Sequence, residues 1–357
     1  MHGEHTIREI FAQPDLWQRV REGLGAELDS FSFDEGQEVI FTGCGSSYHL
    51  AETGANLFSQ WTGLRARFVP ASELVLYPEL TFRDRDRVAL VALSRTGTTS
   101  EVLQAVEAFR ERRAQGRVAG PLYGVTCTGE SPLAGACDRA LLIPAREASV
   151  VMTQAFTGTL LALALWALAV RPDAERAAAL AAAVRQAEAP LRQSDALKAV
   201  AELPVKHFVF LGGGLLHAIA REGALKLQEM ALEPSAIAYH ALEYRHGPKS
   251  TVGPDTLVTM LLTGVGASYE AVLLDELKGL GARTLVIAGA DQAAIAARAD
   301  HHFLCDAGLA AGALEAPSDA SRALLYTPIL QLLAYHRSVR NGADPDAPRH
   351  LSRSVIL

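Results

Sequence analysis

The chain has 357 residues, of which 49% are hydrophobic and 20% charged, and its 33 Lys and Arg against 40 Asp and Glu leave a net charge of −7. That length exceeds one average domain, and the composition excludes a disordered chain. The acidic balance argues against a general nucleic-acid or anionic-membrane surface, while leaving a local anion pocket open.

From the N-terminus, MHGEHTIREI carries Glu, His and Arg where a signal peptide needs an apolar core, so a cytoplasmic location is expected. Residues 1–35 read as helical. The first apolar runs are VIFTG, ARFVPA, VALVALS, LYGVTC and ALLIPA, too continuous for a sheet wetted on one face. Between them lie stretches of helical length. The apolar segment Ala155 to Val170 is shorter than the roughly 20 residues a bilayer span needs; it reads as a buried helix packing between domains or subunits. Ala174 to Leu203, rich in Ala, Gln, Glu and Arg, reads as a helical connector. Then come HFVFLG, SAIAYH, TLVTMLLT, RTLVIAG and HHFLCD. The cysteines Cys44, Cys127, Cys137 and Cys305 lack C-x-x-C spacing, which fits reduced thiols and supports neither a disulfide framework nor a metal site.

Shifting the chain by 169 residues lays VIFTGCGSSYHLAETGANLF over FVFLGGGLLHAIAREGALKL. Phe41 falls on Phe210, Gly43 on Gly212, Gly45 on Gly214 and Gly54 on Gly223. VALVALSRTGTTSE likewise falls on LVTMLLTGVGASYE, pairing Gly97 with Gly266 and Glu101 with Glu270. The chain is a tandem duplication. Five strands alternating with helices, made twice, predict an α/β fold of two flavodoxin-like, doubly wound domains with five-stranded, mainly parallel sheets. The expected parsing is a helical segment at 1–35, a first domain at 36–172, a connector at 173–204, a second domain at 205–340 and a tail at 341–357.

Ligands of such sheets bind where strands end and helices begin. After the first strand comes TGCGSSYH, with Ser46 and Ser47 placed to cap the next helix. After the third comes SRTGTTSE, whose Ser94, Thr96 and Thr99 surround Gly97. Amides at a helix start, hydroxyl donors and the Arg95 guanidinium suit an anion such as phosphate. A dinucleotide site is disfavoured because the third glycine of G-x-G-x-x-G and the acidic ribose partner are missing, and no P-loop motif occurs. In the second copy G-V-G replaces R-T-G-T-T, so one copy keeps the anion cradle. The second copy holds ionisable groups instead. Glu222, Lys226 and Glu229 fall on one helical face at i, i+4 and i+7, and His246 sits in the loop EYRHGPKS. Base rate alone favours a solvated stripe and an idle loop histidine, yet two carboxylates, an ammonium and a histidine near one strand-end crevice point to a site.

Six ordered motifs resemble one family: G-C-G-S-S-Y, S-R-T-G-T-T, V-M-T-Q-A-F-T at 151–157, E-G-A-L-K-L-Q-E at 222–229, E-Y-R-H-G-P at 243–248, and the tail Y-H…D-P-D-A-P-R-H-L-S-R-S-V. They resemble the sugar isomerase (SIS) fold, and over the whole length the two-domain isomerase half of glucosamine-6-phosphate synthase and the related amino-sugar-6-phosphate deaminases and isomerases. The resemblance implies that Ser47, Ser94, Thr96 and Thr99 hold a substrate phosphate, with Arg95 standing where the synthase has Gln. It implies that Cys44, Gly45, Ser46, Glu147, Val150 and the C-terminal tail line the sugar. Glu229 would shuttle a proton between C1 and C2 of the open-chain sugar and His246 would open the ring, with Lys226 and Arg353 completing the catalytic set. In the synthase that histidine comes from a neighbouring subunit, so a homodimer is implied. No cofactor and no metal enter this scheme, and neither nucleic acid nor membrane is an expected partner.

Three departures bear on the chemistry. The second residue is His2, and no glutaminase domain fits, so glutamine-dependent synthesis is not expected. Arg353 aligns with the synthase's Schiff-base lysine, and an arginine stays protonated and cannot form that adduct. Gln154 replaces a lysine in the V-x-[ST]-K-A-F pattern. The expected activity is isomerisation of a hexose- or hexosamine-6-phosphate, alone or with loss of ammonia. The alternative is a non-catalytic sugar-phosphate sensor, although the 35 residues before the first domain make a poor helix-turn-helix module.

Overall fold

A computed structural model describes residues 2–306 and 318–357. Its first sheet contains β1 (Glu38–Gly43), β2 (Arg65–Pro70), β3 (Asp86–Leu93), β4 (Leu122–Thr126) and β5 (Arg139–Leu142) in the order β2-β1-β3-β4-β5, all parallel. Its second contains β6 (His207–Gly212), β7 (Ala236–His240), β8 (Thr256–Leu261), β9 (Arg283–Ala288) and β10 (His301–Leu304) in the order β7-β6-β8-β9-β10, again parallel. Both follow the doubly wound 2-1-3-4-5 order, so the duplication read from the sequence is a duplication of topology. The turn after each first strand repeats as well: Gly45 has φ 55° and ψ −128°, and Gly214 has φ 51° and ψ −127°. A side chain at either position would meet left-handed strain, which explains the shared glycine.

Each sheet has its own core. Ile40, Leu90, Ala92, Val102 and Phe109 pack in the first, and Val209, Leu211, Val258, Met260 and Leu274 in the second. Full burial of the larger of these side chains contributes roughly 1.5–3 kcal/mol.

Three expectations are corrected. The first sheet carries a sixth strand, Val118–Ala119, paired with Asp86 and Arg87. Pro121, which has no N–H, separates it from β4. The N-terminal helices are Glu4–Phe11, Gln13–Gly23 and Gly25–Leu28, so helix ends well before residue 35. Phe31 and Phe33 alternate into an aromatic cluster with Phe58, Tyr123 and Trp166, while Trp166 Nε1 and Tyr123 Oη donate to the carbonyls of Phe31 and Ser32; a helix there would need those carbonyls for itself. The connector breaks into Ala174–Arg185, Glu188–Leu191 and Ser194–Ala201, with Pro190 in the short middle piece. The apolar helix, Gln154–Val170, packs on helix Ser46–Trp61 beside the first sheet.

The described residues fall into two compact units that are discontinuous in sequence. The first-sheet unit comprises Asp15–Glu147, Gln154–Ala177 and Ser352–Leu357; the second-sheet unit comprises Met1–Pro14, Ala148–Thr153 and Ala178–Leu351. Hydrogen bonds show why the second-sheet unit draws in distant segments. Thr6 donates from its amide and hydroxyl to Asp346, each at 2.7 Å. Gln13 donates to Gln331, which donates to the Thr153 carbonyl. No helix among the described residues is long and apolar enough to cross a membrane.

In the second copy of the cradle turn, Glu270 accepts from the Thr263 amide at 2.9 Å and the Thr263 hydroxyl at 3.0 Å. Burial pushes its carboxyl up to about 7, against those hydrogen bonds. Since folding raises this pKa above its ordinary 4.5, the associated stability is fully present below that value and is lost as pH rises through the folded pKa. The neutral isostere Glu270→Gln should therefore be more stable than the parent at pH 8, by on the order of 1–3 kcal/mol, with the gap closing at pH 5. Urea midpoints at the two pH values check this; an unchanging gap would refute it.

Candidate active site

The polar residues gather at the C-terminal strand ends, where parallel pairing delivers every loop to one edge of each sheet. In the first-sheet unit, the loops after the adjacent strands β1 and β3 supply Ser47 and Ser94 to Thr99. Ser46 and Ser47 occupy the first helical turn after Gly45, and no side-chain hydrogen bond caps that helix, so the expected capping role is replaced by a place inside the turn. Ser94, only 3% exposed, accepts from the Gly97 amide at 3.1 Å and meets Thr99 Oγ1 at 3.1 Å. Thr96 and Thr98 hydroxyls are 2.8 Å apart. At Gly97, φ is 68° and an added Cβ would lie 2.2 Å from Ser131 Oγ, so glycine serves the turn.

Arg95, expected to join the anion cradle, is paired within the protein. Its Nη1 pairs with Glu147 Oε2 at 2.8 Å, and the two side chains are only 10% and 1% exposed. The other Glu147 oxygen accepts from the Ala155 amide at 2.9 Å. Glu147 thus faces Arg95 and the head of the apolar helix, and it also lines the pocket beside this loop. Arg95 Nη2 also donates to the Arg353 carbonyl at 3.2 Å, and the Arg353 guanidinium donates to the Glu147 carbonyl. Cys44 packs, partly buried, against the core of the first sheet, and burial followed by the nearby Glu101 pushes its thiol up to about 11. Val150 lies in the second-sheet unit, its amide on the Asp346 carbonyl.

A pocket of about 220 Å³ opens beside this loop, lined by Arg95, Thr96, Cys127, Thr128, Arg146 and Arg353 among others. Thr98, Thr128, Ser131 and Arg146 were not singled out from the sequence. The Ser-Pro pair at 131–132, a helix-start signal, marks Ser131, whose hydroxyl caps the helix Pro132–Ala136. Burial pushes the Cys127 thiol up to about 12, so it is held as the thiol.

In the second-sheet unit, helix Leu215–Ala231 carries the ionisable group. Lys226 has no exposed side-chain surface; its Nζ lies 3.3 Å from Glu222 Oε1 and donates to Glu229 Oε2. This rules out the solvated stripe. Burial opposes the Lys226 charge, but Glu222 and Glu229 outweigh it and raise its pKa. Glu222 is 1% exposed, whereas Glu229 is 21% exposed. Glu229 is the open edge of an otherwise buried charge group. His246 stands outside that hydrogen-bonded group, exposed after the short 3₁₀ turn Glu243–Arg245. Arg245 and Lys249 on either side of it both pair with Glu276 and fix the loop to the next helix. Among the described residues, no group of three or more His, Cys, Asp or Glu side chains could hold a metal ion.

Comparison with known proteins agrees with this architecture. The SIS domain matches residues 33–171 and 203–336. The glutamine–fructose-6-phosphate aminotransferase (isomerizing) of Pseudomonas putida is 31% identical over 380 residues, covering 98% of this chain and 58% of that protein. The chain therefore spans little more than half of that relative's length. D-galactosamine-6-phosphate deaminase AgaS of Shewanella sp. is 28% identical over 368 residues, covering 96% of this chain and 87% of that protein. The crystal structure of glucosamine-6-phosphate deaminase from Thermotoga maritima superposes with a TM-score of 0.79 at 30% identity, covering 99% of this chain and 100% of that one. With two matched segments, two sheets of the same strand order and the hydroxyl-rich turn on the first of them, the chain belongs to the SIS domain family.

Proposed function

We propose that this protein is a phosphosugar isomerase of the deaminating kind, acting on a hexosamine-6-phosphate. The observation that carries the reading is Glu229: a carboxylate held in place by a fully buried, protonated lysine, with one edge open to a ligand. Such a group can take and return a proton without moving. Ser47, Ser94, Thr96 and Thr99 hold the phosphate, and the amides at the two helix starts add positive potential.

His246, contributed by a neighbouring subunit of a homodimer, passes a proton to the ring oxygen and opens the sugar. Glu229 then removes the C2 proton and gives it to C1 through a cis-enolamine, which leaves an imine at C2. Addition of water to that imine and loss of ammonia yields the ketose phosphate. Arg353 remains protonated, so it supplies a fixed cation toward the oxyanion that forms at O1, and no protein-bound Schiff base arises. The 30% identity to the Thermotoga glucosamine-6-phosphate deaminase across both chains supports the deaminating branch.

The deciding experiment incubates the protein with hexose- and hexosamine-6-phosphates while ammonia and ketose are measured together. Equimolar ammonia and ketose from an amino sugar is the expected result; ketose from a neutral aldose alone would move the assignment to simple isomerisation, and no product from any of them would overturn it. Glu229→Gln should lower kcat by about 10²–10⁴ while leaving sugar-phosphate affinity within a few fold, as read by steady-state kinetics and calorimetry. Lys226→Met leaves Glu222 buried without its cation and should destabilise the fold by about 3–5 kcal/mol, measured by denaturant unfolding; a loss under 1 kcal/mol would show the group to be weakly coupled.

A further inference from the structure

We propose that Arg95 is a positioning residue that latches the C-terminal tail onto the cradle loop, and that it is not a ligand of the phosphate. The inference rests on the functional reading above only for its effect on turnover. Three segments distant in sequence meet through this side chain: the cradle loop itself, the stretch after β5 through Glu147, and the tail from Ser352 to Leu357. Nη1 holds the Glu147 carboxylate at 2.8 Å and Nη2 the Arg353 carbonyl at 3.2 Å, while the Arg353 guanidinium returns to the Glu147 carbonyl.

The contacts close a ring in which each member fixes the next. Three more bonds run from the same tail to the same loop: Thr98 Oγ1 to Ser354 Oγ at 2.9 Å, the Ser100 amide to the Val355 carbonyl at 3.1 Å, and the Leu357 amide to Ser100 Oγ at 3.0 Å. An arginine suits this place because its planar fork reaches a carboxylate and a carbonyl from two separate nitrogens, whereas lysine and glutamine each offer donors on one nitrogen only. With the guanidinium nine-tenths buried in that bridge, the phosphate is left to the hydroxyls and amides. The ring also fixes the main chain of Arg353, the residue whose cation the chemistry uses.

The test compares Arg95→Gln, Arg95→Lys and Glu147→Gln with the parent in three measurements: affinity for inorganic phosphate by calorimetry, the rate at which trypsin releases the tetrapeptide Ser354–Leu357 by mass spectrometry, and kcat and KM on the substrate found above. All three variants should release the tetrapeptide at least tenfold faster, keep phosphate affinity within about twofold of the parent, and lose kcat more than KM. Arg95→Lys, which keeps the charge but not the fork, should behave like Arg95→Gln. Combining Arg95→Gln with Glu147→Gln should add little to either alone. An unchanged release rate, or a tenfold loss of phosphate affinity in Arg95→Gln that Arg95→Lys restores, would overturn the proposal. If Arg95→Gln fails to fold, Glu147→Gln, which can still accept from Ala155, decides alone. A chain that turns over no sugar phosphate would end the functional reading, yet the release rate would still decide the latch.

Discussion

Every strand pair in both sheets is parallel, and that constraint organises the rest of the molecule. Parallel strands can be joined only by crossovers, so each helix must run back over a face and each polar loop must emerge at the same edge. Ser47, Ser94 and Glu147 are separated by as many as a hundred positions, yet they follow β1, β3 and β5 of one sheet. These polar groups are brought to one edge by direction of travel along the strands rather than by proximity in the chain. The same rule places the helix bearing Lys226 directly after β6.

Because the scaffold occurs twice, each copy is a control for the other. In both copies the glycine amide of the cradle turn donates to a hydroxyl at its start, Gly97 to Ser94 at 3.1 Å and Gly266 to Thr263 at 2.8 Å. The turn is conserved within the chain as a piece of backbone geometry. What differs is the occupant. In the second copy the Glu270 carboxylate folds back onto Thr263, and the Gly264 amide is taken by Asp319 at 2.7 Å. In the first, the matching Glu101 has a carboxylate oxygen buried without a hydrogen-bond partner, and the hydroxyls of Ser94 and Thr99 face each other instead. One turn is filled by a carboxyl side chain of its own helix, and the other is not.

The parts legible in the sequence were those fixed by local periodicity or by repetition. Ten apolar runs located the ten main strands, and the internal alignment anticipated one strand order used twice. Spacing also placed Glu222, Lys226 and Glu229 on one face, but it could not tell a solvated stripe from a buried group, since burial depends on what packs over the helix. Arg95 shows the opposite difficulty. Its neighbours in SRTGTTSE all suggest an anion, whereas its partner Glu147 lies 52 residues on and enters only once β5 has been laid in the sheet. The aromatic pair Phe31 and Phe33 was hidden for the same reason, because a cluster with Phe58, Tyr123 and Trp166 has no local signature.

The buried charges make a final point about why such sites are built this way. Two carboxylates and an ammonium on one helix, two of them almost wholly buried, do not gain stability over a well-packed apolar core, since desolvation offsets most of the attraction. Their retention needs another reason. A lysine enclosed between two carboxylates cannot wander, and so Glu229 is held in one place with its open edge presented outward. The Arg95–Glu147 pair has the same character, ordering a loop and a tail that surface hydrogen bonds alone would leave frayed. In both units, buried ion pairing sits near the strand ends, where backbone regularity stops supplying rigidity of its own.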